Sequence, residues 1–421
     1  MSFTTPRPAS WQACIVCGNE SLETDPATRC RSCGGLLEVR HRPPTLEGPV
    51  LRAQFQTRCC MRPDGTSSGV WRFGEIVLPS VGDDVVSHPE GNTPLLEREA
   101  LSAWAGVPAL FLKHEGHNPT GSFKDRGMTV GITQARRLGV RAVVCASTGN
   151  TSASLAAYAS QAGLPAFVLV PAEKIAPGKL AQAVGYGARV IAVRRDFDTC
   201  LRLVEEASER LGLYLLNSVN PFRLEGQKTI VLELLQQLAW EPPDWIVLPG
   251  GNLGNTSAFG KALEEARDWG LIDRLPRLAV VQAEGASPFA QSFELGFRER
   301  LSVRAETVAT AIRIGNPASW DRAVKAIRLT DGVVVRVPDA EILEAKVAID
   351  RAGVGCEPAS AASLAGLRRL VGAGAVARTD RVVAVLTGHM LKDTGAVPLD
   401  GQIVEIAGKL EEVDAVVQQV G

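Results

Sequence analysis

The residue of this 421-residue chain best placed for covalent chemistry is Lys124, within EGHNPTGSFKDRGM from Glu115 to Met128. Asn118, Pro119 and Gly121 are turn residues, Pro fixing φ and Gly supplying conformations that other residues avoid. Ser122 is the expected helix cap. Met128, Ile132, Ala135 and Leu138 then recur at helical spacing, and Gly139 ends the predicted helix. An amine at a helix start faces free backbone N–H groups and the positive end of the helix dipole, both of which disfavour its protonated form. Only the neutral amine attacks a carbonyl, so the setting suits a Schiff-base lysine; it equally suits a capped surface turn, and the stretch alone leaves both open. Gly116 and Gly121 have P-loop spacing, but Ser-Phe-Lys follows where Lys-Ser/Thr is required, which excludes that loop.

Three later stretches supply partners. Ser147-Thr148-Gly149-Asn150-Thr151-Ser152 offers hydroxyls, an amide and a helix N-terminus, a combination suited to a carboxylate or phosphate. Gly250-Gly251-Asn252-Leu253-Gly254-Asn255-Thr256 can turn backbone N–H groups toward an anion. It departs from G-x-G-x-x-G at Asn252 and Asn255, and no acidic residue follows where a ribose needs one. Thr387, at the end of an apolar run, can hydrogen-bond a ring nitrogen without protonating it. An amine, a phosphate cradle, a carboxylate loop and a ring-nitrogen partner are the parts of a pyridoxal phosphate site.

A separate chemistry is written at the start of the chain. Cys14-x-x-Cys17-Gly and Cys30-x-x-Cys33-Gly-Gly place four thiolates in two knuckles, the ligand set of a tetrahedral structural zinc. The segment has scattered arginines, no lysine and few interleaved aromatics, so it is expected to be a zinc-ribbon-like structural module with no nucleic-acid role.

The elements that must position these groups alternate along the chain. Strands are expected at 109–113, 142–146, 166–170, 189–193, 245–248, 278–282, 333–337 and 382–386, with helical patterns between most pairs, which implies doubly wound, mostly parallel α/β domains. Ligands of such sheets lie beyond the strands' carboxyl ends, where the candidate residues fall. A strand and an amphipathic helix are expected over 402–421. Lys and Arg number 45 against 46 Asp and Glu, which gives no global sign of nucleic-acid or membrane partners. Nine cysteines, four in paired knuckles, suit a reducing compartment, so a cytoplasmic protein is expected.

From about residue 75 to 395 the sequence resembles the threonine synthases, fold-type II pyridoxal phosphate enzymes related to tryptophan synthase β. The resemblance rests on GNTPL, EGHNPTGSFKDRG, ASTGNTSASLAAYA, NPFRLEGQKT, PGGNLGN, AIRIGNPASW, GCEPASAASLAGL and LTGHMLKD. His117, and Met390 where glycine is usual, depart from the pattern and bear on packing around the ring. The resemblance implies that Lys124 holds the cofactor as a Schiff base, Asn150 contacts its ring oxygen, Gly251, Asn252, Leu253, Gly254 and Asn255 hold its phosphate, and Thr387 contacts its pyridine nitrogen. Thr148 to Thr151 would close on the substrate carboxylate, and Ser147, Thr151, Ser218, Asn252 and Arg223 are candidates for the substrate phosphate. The implied reaction turns O-phospho-L-homoserine and water into L-threonine and phosphate, in a homodimer. Cysteate synthase and serine/threonine dehydratase are the alternatives within the same fold. The expected organisation is a module at 1–45, an arm at 46–90, a small domain at 118–217, and a large domain formed by 91–117 with 218–421.

Overall fold

The computed structural model describes residues 8–61, 65–174, 177–396, 404–407 and 410–417. All eight strands expected from the sequence are present, three with the expected bounds and five with ends shifted by one residue. A small antiparallel sheet comes first, β1 (Ser10–Cys14), β2 (Glu20–Leu22) and β3 (Leu37–His41), in the order β2-β1-β3.

Two larger sheets follow. One contains β4 (Leu95–Leu96), β5 (Leu110–His114), β10 (Trp245–Pro249), β11 (Arg277–Ala283), β12 (Val333–Val337) and β13 (Val382–Leu386), in the order β12-β11-β10-β13-β5-β4. All its pairings are parallel except that of β4 with β5. The other contains β6 (Val143–Ala146), β7 (Ala166–Pro171), β8 (Arg189–Val193) and β9 (Tyr214–Leu215), all parallel, in the order β8-β7-β6-β9.

Both sheets are covered on both faces, and strand periodicity shows how. In β10, Ile246 and Leu248 enter one apolar cluster while Trp245 and Val247 enter the opposite one. In β6, Val143 and Cys145 face one side and Val144 and Ala146 the other. Burial on both faces explains why these strands read as unbroken apolar runs. The arm contributes to the larger core: Leu51, Phe55, Val70, Trp71, Phe73, Ile76 and Val77 all pack into it.

Six helices frame the cleft between the sheets: α1 (Lys124–Arg137), α2 (Asn150–Gln161), α3 (Pro221–Gln227), α4 (Gly254–Asp268), α5 (Trp320–Leu329) and α6 (Pro358–Gly372). The module is tied to both sides. Gln134 of α1 donates to the Glu23 carbonyl at 2.8 Å, and His41 bonds Glu225 of α3 at 2.7 Å. Of the expected tail elements, a helix spans Leu410–Val417 and residues 404–407 carry no strand; 397–403, 408–409 and 418–421 lie outside the described residues. No helix among the described residues is long and apolar enough to cross a membrane.

Candidate active site

The helix that begins at Lys124 sends three consecutive side chains in three directions, as a turn of about 100° per residue requires. Lys124 stands half-buried, its Nζ 4.1 Å from the Phe123 ring centre. Asp125 turns back beneath the loop and accepts from the Thr120 N–H (2.7 Å), the Thr120 hydroxyl (2.6 Å) and the Ser154 hydroxyl of α2 (2.6 Å). Arg126 enters the core and bonds Glu115 and Glu233. The helix start is therefore fixed from below. Ser122 is not the cap: helical geometry begins at Lys124, and the Ser122 hydroxyl lies a long 3.4 Å from the Lys124 N–H. Asp125 closes the turn in its place, which leaves the space in front of Lys124 clear. Gly139 ends the element in the left-handed region at φ +62°.

Desolvation pushes the Lys124 amine down to about 7, with the Arg223 cation adding to the shift and Glu357 opposing it. The position ahead of it is tied to the end of β13: the Phe123 N–H donates to the Thr387 carbonyl at 3.0 Å, and Ser122 bridges Gly388. Thr387 is thus held beside the lysine by backbone bonds. Its own hydroxyl lies 3.0 Å from that of Ser360. His117 packs edge-on against His114 with ring centres 4.6 Å apart, so this departure from the family pattern is absorbed in the loop wall.

The glycine-rich loop after β10 is built to receive an anion. The N–H groups from Gly251 to Thr256 donate to no acceptor among the described residues; the next one, Ser257, donates to the Leu253 carbonyl at 3.0 Å. Leu253 holds a left-handed φ of +61°, a strain of about 1–3 kcal/mol of the kind kept where backbone amides must be aimed. Around the loop, Asn255 Oδ1, Thr256 Oγ1 and Gln227 Oε1 are buried without partners. A Cβ on Gly254 would lie 3.3 Å from Gln227 Oε1 and crowd this space. Six unused donors at a helix N-terminus fit a phosphate dianion.

Asn252 plays a different part. Its Nδ2 donates to the Ser218 hydroxyl and its Oδ1 accepts from the Ala318 N–H at 2.6 Å, so the side chain braces the loop between two neighbours.

A second anion-ready position is Arg223, which is 1% exposed. Its Nη1 donates to the Leu216 carbonyl at 3.1 Å, while Nε and Nη2, the pair forming one edge of the guanidinium fork, have no partner. Burial lowers this group from its ordinary value to about 10. A buried, unpaired fork is costly, and a bidentate anion relieves that cost.

The loop after β6 lies beside β9. Asn217 accepts from the Ala146 N–H (2.9 Å) and donates to the Ala146 carbonyl (3.0 Å), which sets Ser147 alongside Ser218. The Ser147 hydroxyl accepts from the Gly149 N–H at 3.2 Å. The amides of Thr148, Asn150, Thr151 and Ser152 remain free of backbone partners, the first helical bond being that of Ala153 to the Gly149 carbonyl. The Asn150 Nδ2 points to Glu357, 3.1 and 3.4 Å from its two oxygens. Sequence reasoning quoted the stretch containing Glu357 and Ser360 but gave neither a role. A glutamate ahead of a proline at a helix start carries no mark that it will be 4% exposed beside an active-site amide.

In the segment of the small antiparallel sheet, the ligand atoms of Cys14, Cys17, Cys30 and Cys33 all lie within 4.8 Å of one another, with sulfur separations as short as 3.4 Å. Sulfurs about 2.3 Å from a central zinc in a tetrahedron stand slightly under 4 Å apart, so the cluster fits that ion. The Val16 and Ser32 N–H groups each approach a sulfur at 3.4 Å. Gly18 and Gly34, at φ +72° and +71°, provide the turns behind the knuckles.

Residues 86–388 match the family described as pyridoxal-phosphate dependent enzyme. The chain is 45% identical over 387 residues to the threonine synthase of Methanocaldococcus jannaschii, spanning 91% of this chain and 93% of that one. It is 46% identical over 382 residues to the threonine synthase of Methanosarcina acetivorans, spanning 90% and 91%. The crystal structure of Escherichia coli threonine synthase aligns with a TM-score of 0.71 at 18% identity, covering 96% of this chain and 94% of that one.

Proposed function

Because the chain belongs to the pyridoxal-phosphate dependent enzyme family and, within it, to the fold-type II threonine synthases, we propose that it converts O-phospho-L-homoserine and water into L-threonine and phosphate. The observation that carries the substrate is the pair of anion-ready positions flanking one depressed amine. The 251–256 amides take the phosphate of the cofactor, and the free edge of Arg223 takes the phosphate of the substrate. A dehydratase acting on an unphosphorylated amino acid leaves the second position without a purpose.

Pyridoxal phosphate, when bound, supplies the conjugated ring that accepts electrons released at the substrate Cα. Lys124 anchors it, and near pH 7 a large share of the amine is already neutral for that bond. Once the substrate amine has displaced it, Lys124 carries the Cα proton within the geometry that held the bond. The proton lost from Cβ would be made good at Cγ as phosphate departs while Arg223 holds it, and water would then add its hydroxyl at Cβ and give its proton to the released phosphate. The hydroxyls of Thr148 and Thr151 and the α2 amides orient the substrate carboxylate, and Ser147 stands with the substrate-phosphate group. Asn150 would contact the ring oxygen and Thr387 the ring nitrogen, the latter through a neutral hydroxyl that does not protonate it. Asn252 and Ser218, bonded to each other, line the substrate side. Closure of a small domain at 118–217 on the remainder excludes water.

The module at 1–45 holds a structural zinc on its four cysteines, a reading supported by their converging sulfurs, and the enzyme works as a cytoplasmic homodimer. Metal analysis and light scattering test these two points. The deciding experiment is incubation with O-phospho-L-homoserine and, separately, with O-phosphoserine plus sulfite, measuring phosphate and the amino acid formed. Threonine from the first alone is expected; a sulfonate from the second overturns the assignment in favour of a cysteate synthase.

A further inference from the structure

The start of α6 touches both residues assigned above to the polar atoms of the cofactor ring. Glu357 immediately precedes the helix and receives Asn150; Ser360, three residues on, lies against Thr387. The two are held together by backbone bonds. The Ser360 N–H donates to the Glu357 carbonyl at 3.0 Å, and the Glu357 N–H to the Gly388 carbonyl at 3.1 Å. Glu357 has room because residue 388 is glycine: a Cβ there would fall 2.5 Å from the Glu357 carboxyl carbon.

We propose that this first turn of α6 is a positioning device that sets the hydrogen-bond polarity of both ring contacts, Glu357 through the Asn150 amide and Ser360 through the Thr387 hydroxyl. The inference rests on the reading that Asn150 and Thr387 are the ring partners.

The argument for Glu357 is one of donors and acceptors. An asparagine amide has a donating and an accepting side, and a turnover exchanges them. The Asn150 nitrogen lies 3.1 Å from Glu357 Oε2 and 3.4 Å from Oε1. Turned over, the amide would set its carbonyl against a carboxylate. Glu357 thereby keeps the NH2 side toward the cleft, with its second hydrogen available to a ring oxygen carrying negative charge.

The Ser360 and Thr387 hydroxyls can bond either way round, and the device requires the arrangement in which Ser360 donates to Thr387. The Ser360 hydroxyl accepts from the Gly388 N–H at 2.9 Å and has a single hydrogen to give. Two acceptors are in reach, Thr387 Oγ1 at 3.0 Å and the Gly388 carbonyl at 3.3 Å. Donation to the nearer one occupies a lone pair on Thr387 and leaves that residue's own hydrogen for the cleft. Thr387 is then a donor toward an unprotonated ring nitrogen. Two residues one helical turn apart thus orient contacts that come from different parts of the chain.

The test uses holoenzyme and reads the position of the visible cofactor band, its pH titration and the dissociation constant for pyridoxal phosphate. Glu357→Leu and Ser360→Ala are each expected to shift the band and weaken cofactor binding about ten-fold, the size of one unsatisfied buried hydrogen bond. Glu357→Gln, which keeps the shape but permits the amide to turn over, should fall between Glu357→Leu and the parent. Adding Glu357→Leu to Asn150→Ala, or Ser360→Ala to Thr387→Val, should cause no further loss, because each pair acts as one unit. Additive losses, or unchanged bands with only a lower melting temperature, overturn the proposal and reduce these residues to packing. Unchanged bands in Asn150→Ala and Thr387→Val alone overturn it together with the reading on which it rests.

Discussion

Two residues apart in one short motif stand the ends of two opposite arrangements of buried charge. Arg126 and Lys113 belong to a saturated network around Glu233. The Lys113 ammonium reaches the Thr93 carbonyl at 2.8 Å, Glu233 at 2.6 Å and Gln237 at 2.8 Å, its full complement of donors. Arg126 bonds Glu115 through Nε and Nη2, Glu233 through Nη2, and the Gly69 carbonyl through Nη1. Arg72 completes the set against Glu233 at 3.0 Å. Lys124 and Arg223 are the contrasting pair. Among the described residues the lysine has an aromatic face and no carboxylate within bonding distance, and the arginine uses one nitrogen of three. A buried cation with every donor satisfied holds the fold together; one with its donors unmet is waiting for a ligand.

The sharpest way to break this comparison is to remove one lysine from each side. Lys124→Ala is expected to abolish the yellow, borohydride-sensitive chromophore and to lower turnover by roughly 10^4-fold or more. The apoprotein should unfold no earlier in denaturant, because the lost cation had no partner. Lys113→Ala should do the reverse, lowering the unfolding midpoint while leaving a chromophore on whatever protein remains folded. A Lys124→Ala protein that fails to fold beside a stable Lys113→Ala protein would reverse the assignment of roles.

Next in size are the network's own members. Arg126→Met takes from Glu115 its cation and from Glu233 one of three, and Glu233→Leu removes the carboxylate shared by Arg126, Lys113 and Arg72, so each should destabilise by about 3–5 kcal/mol in chemical denaturation. On the other side, Arg223→Met removes a cation that forms no ion pair among the described residues and bonds only the Leu216 carbonyl. Its apoprotein should be as stable as the parent or more so. Its KM for phosphohomoserine should rise about 10- to 100-fold, and inhibition by inorganic phosphate should weaken in parallel, the loss expected of a charge-assisted bidentate contact. A stability loss as large as that of Arg126→Met would show that the unpaired fork is structural after all.

Much of this was legible in the sequence, and what was not has a definite cause. The strands announced themselves because burial on both faces demands continuous apolar runs, and Val333–Val337 and Val382–Leu386 have the bounds that pattern gives. Lys124, the 251–255 loop and Thr387 were found because turn residues and strand ends mark them locally. The saturated network was invisible. Glu115 and Arg126 share one stretch but Glu233 comes from another, and a charged residue in a helix reads as solvated until tertiary contacts place it at 0% exposure. Glu357 and Ser360 were missed for the same reason, since their role exists only once β13 and α2 lie beside α6. The capping role expected of Ser122 is taken by no side chain, and Asp125 instead ties the preceding loop at Thr120, because which side chain reaches back is set by the loop's path, which residue types alone do not specify.

The smallest effect is the most direct reading of the unpaired state, and it concerns pH. Burial and the Arg223 cation bring the Lys124 amine down from an ordinary 10.5 to about 7 in the cofactor-free protein. Only the neutral amine bonds the incoming aldehyde, so the rate of cofactor uptake should climb about five-fold between pH 6 and 7, gain a further factor of about two by pH 8, and level off above it. Stability follows the same sign. Between about 7 and 10.5 the unfolded chain holds a proton at this lysine that the folded apoprotein does not, so the site's contribution rises with pH across that window and is lost on going down through it. Rapid-mixing absorbance of the growing chromophore measures the first effect. Arg223→Met, by removing the second cause of the shift, should move the midpoint upward. A midpoint near 10 in the parent protein, or one indifferent to Arg223, would mean that Lys124 is solvated in solution and would place it with ordinary surface lysines.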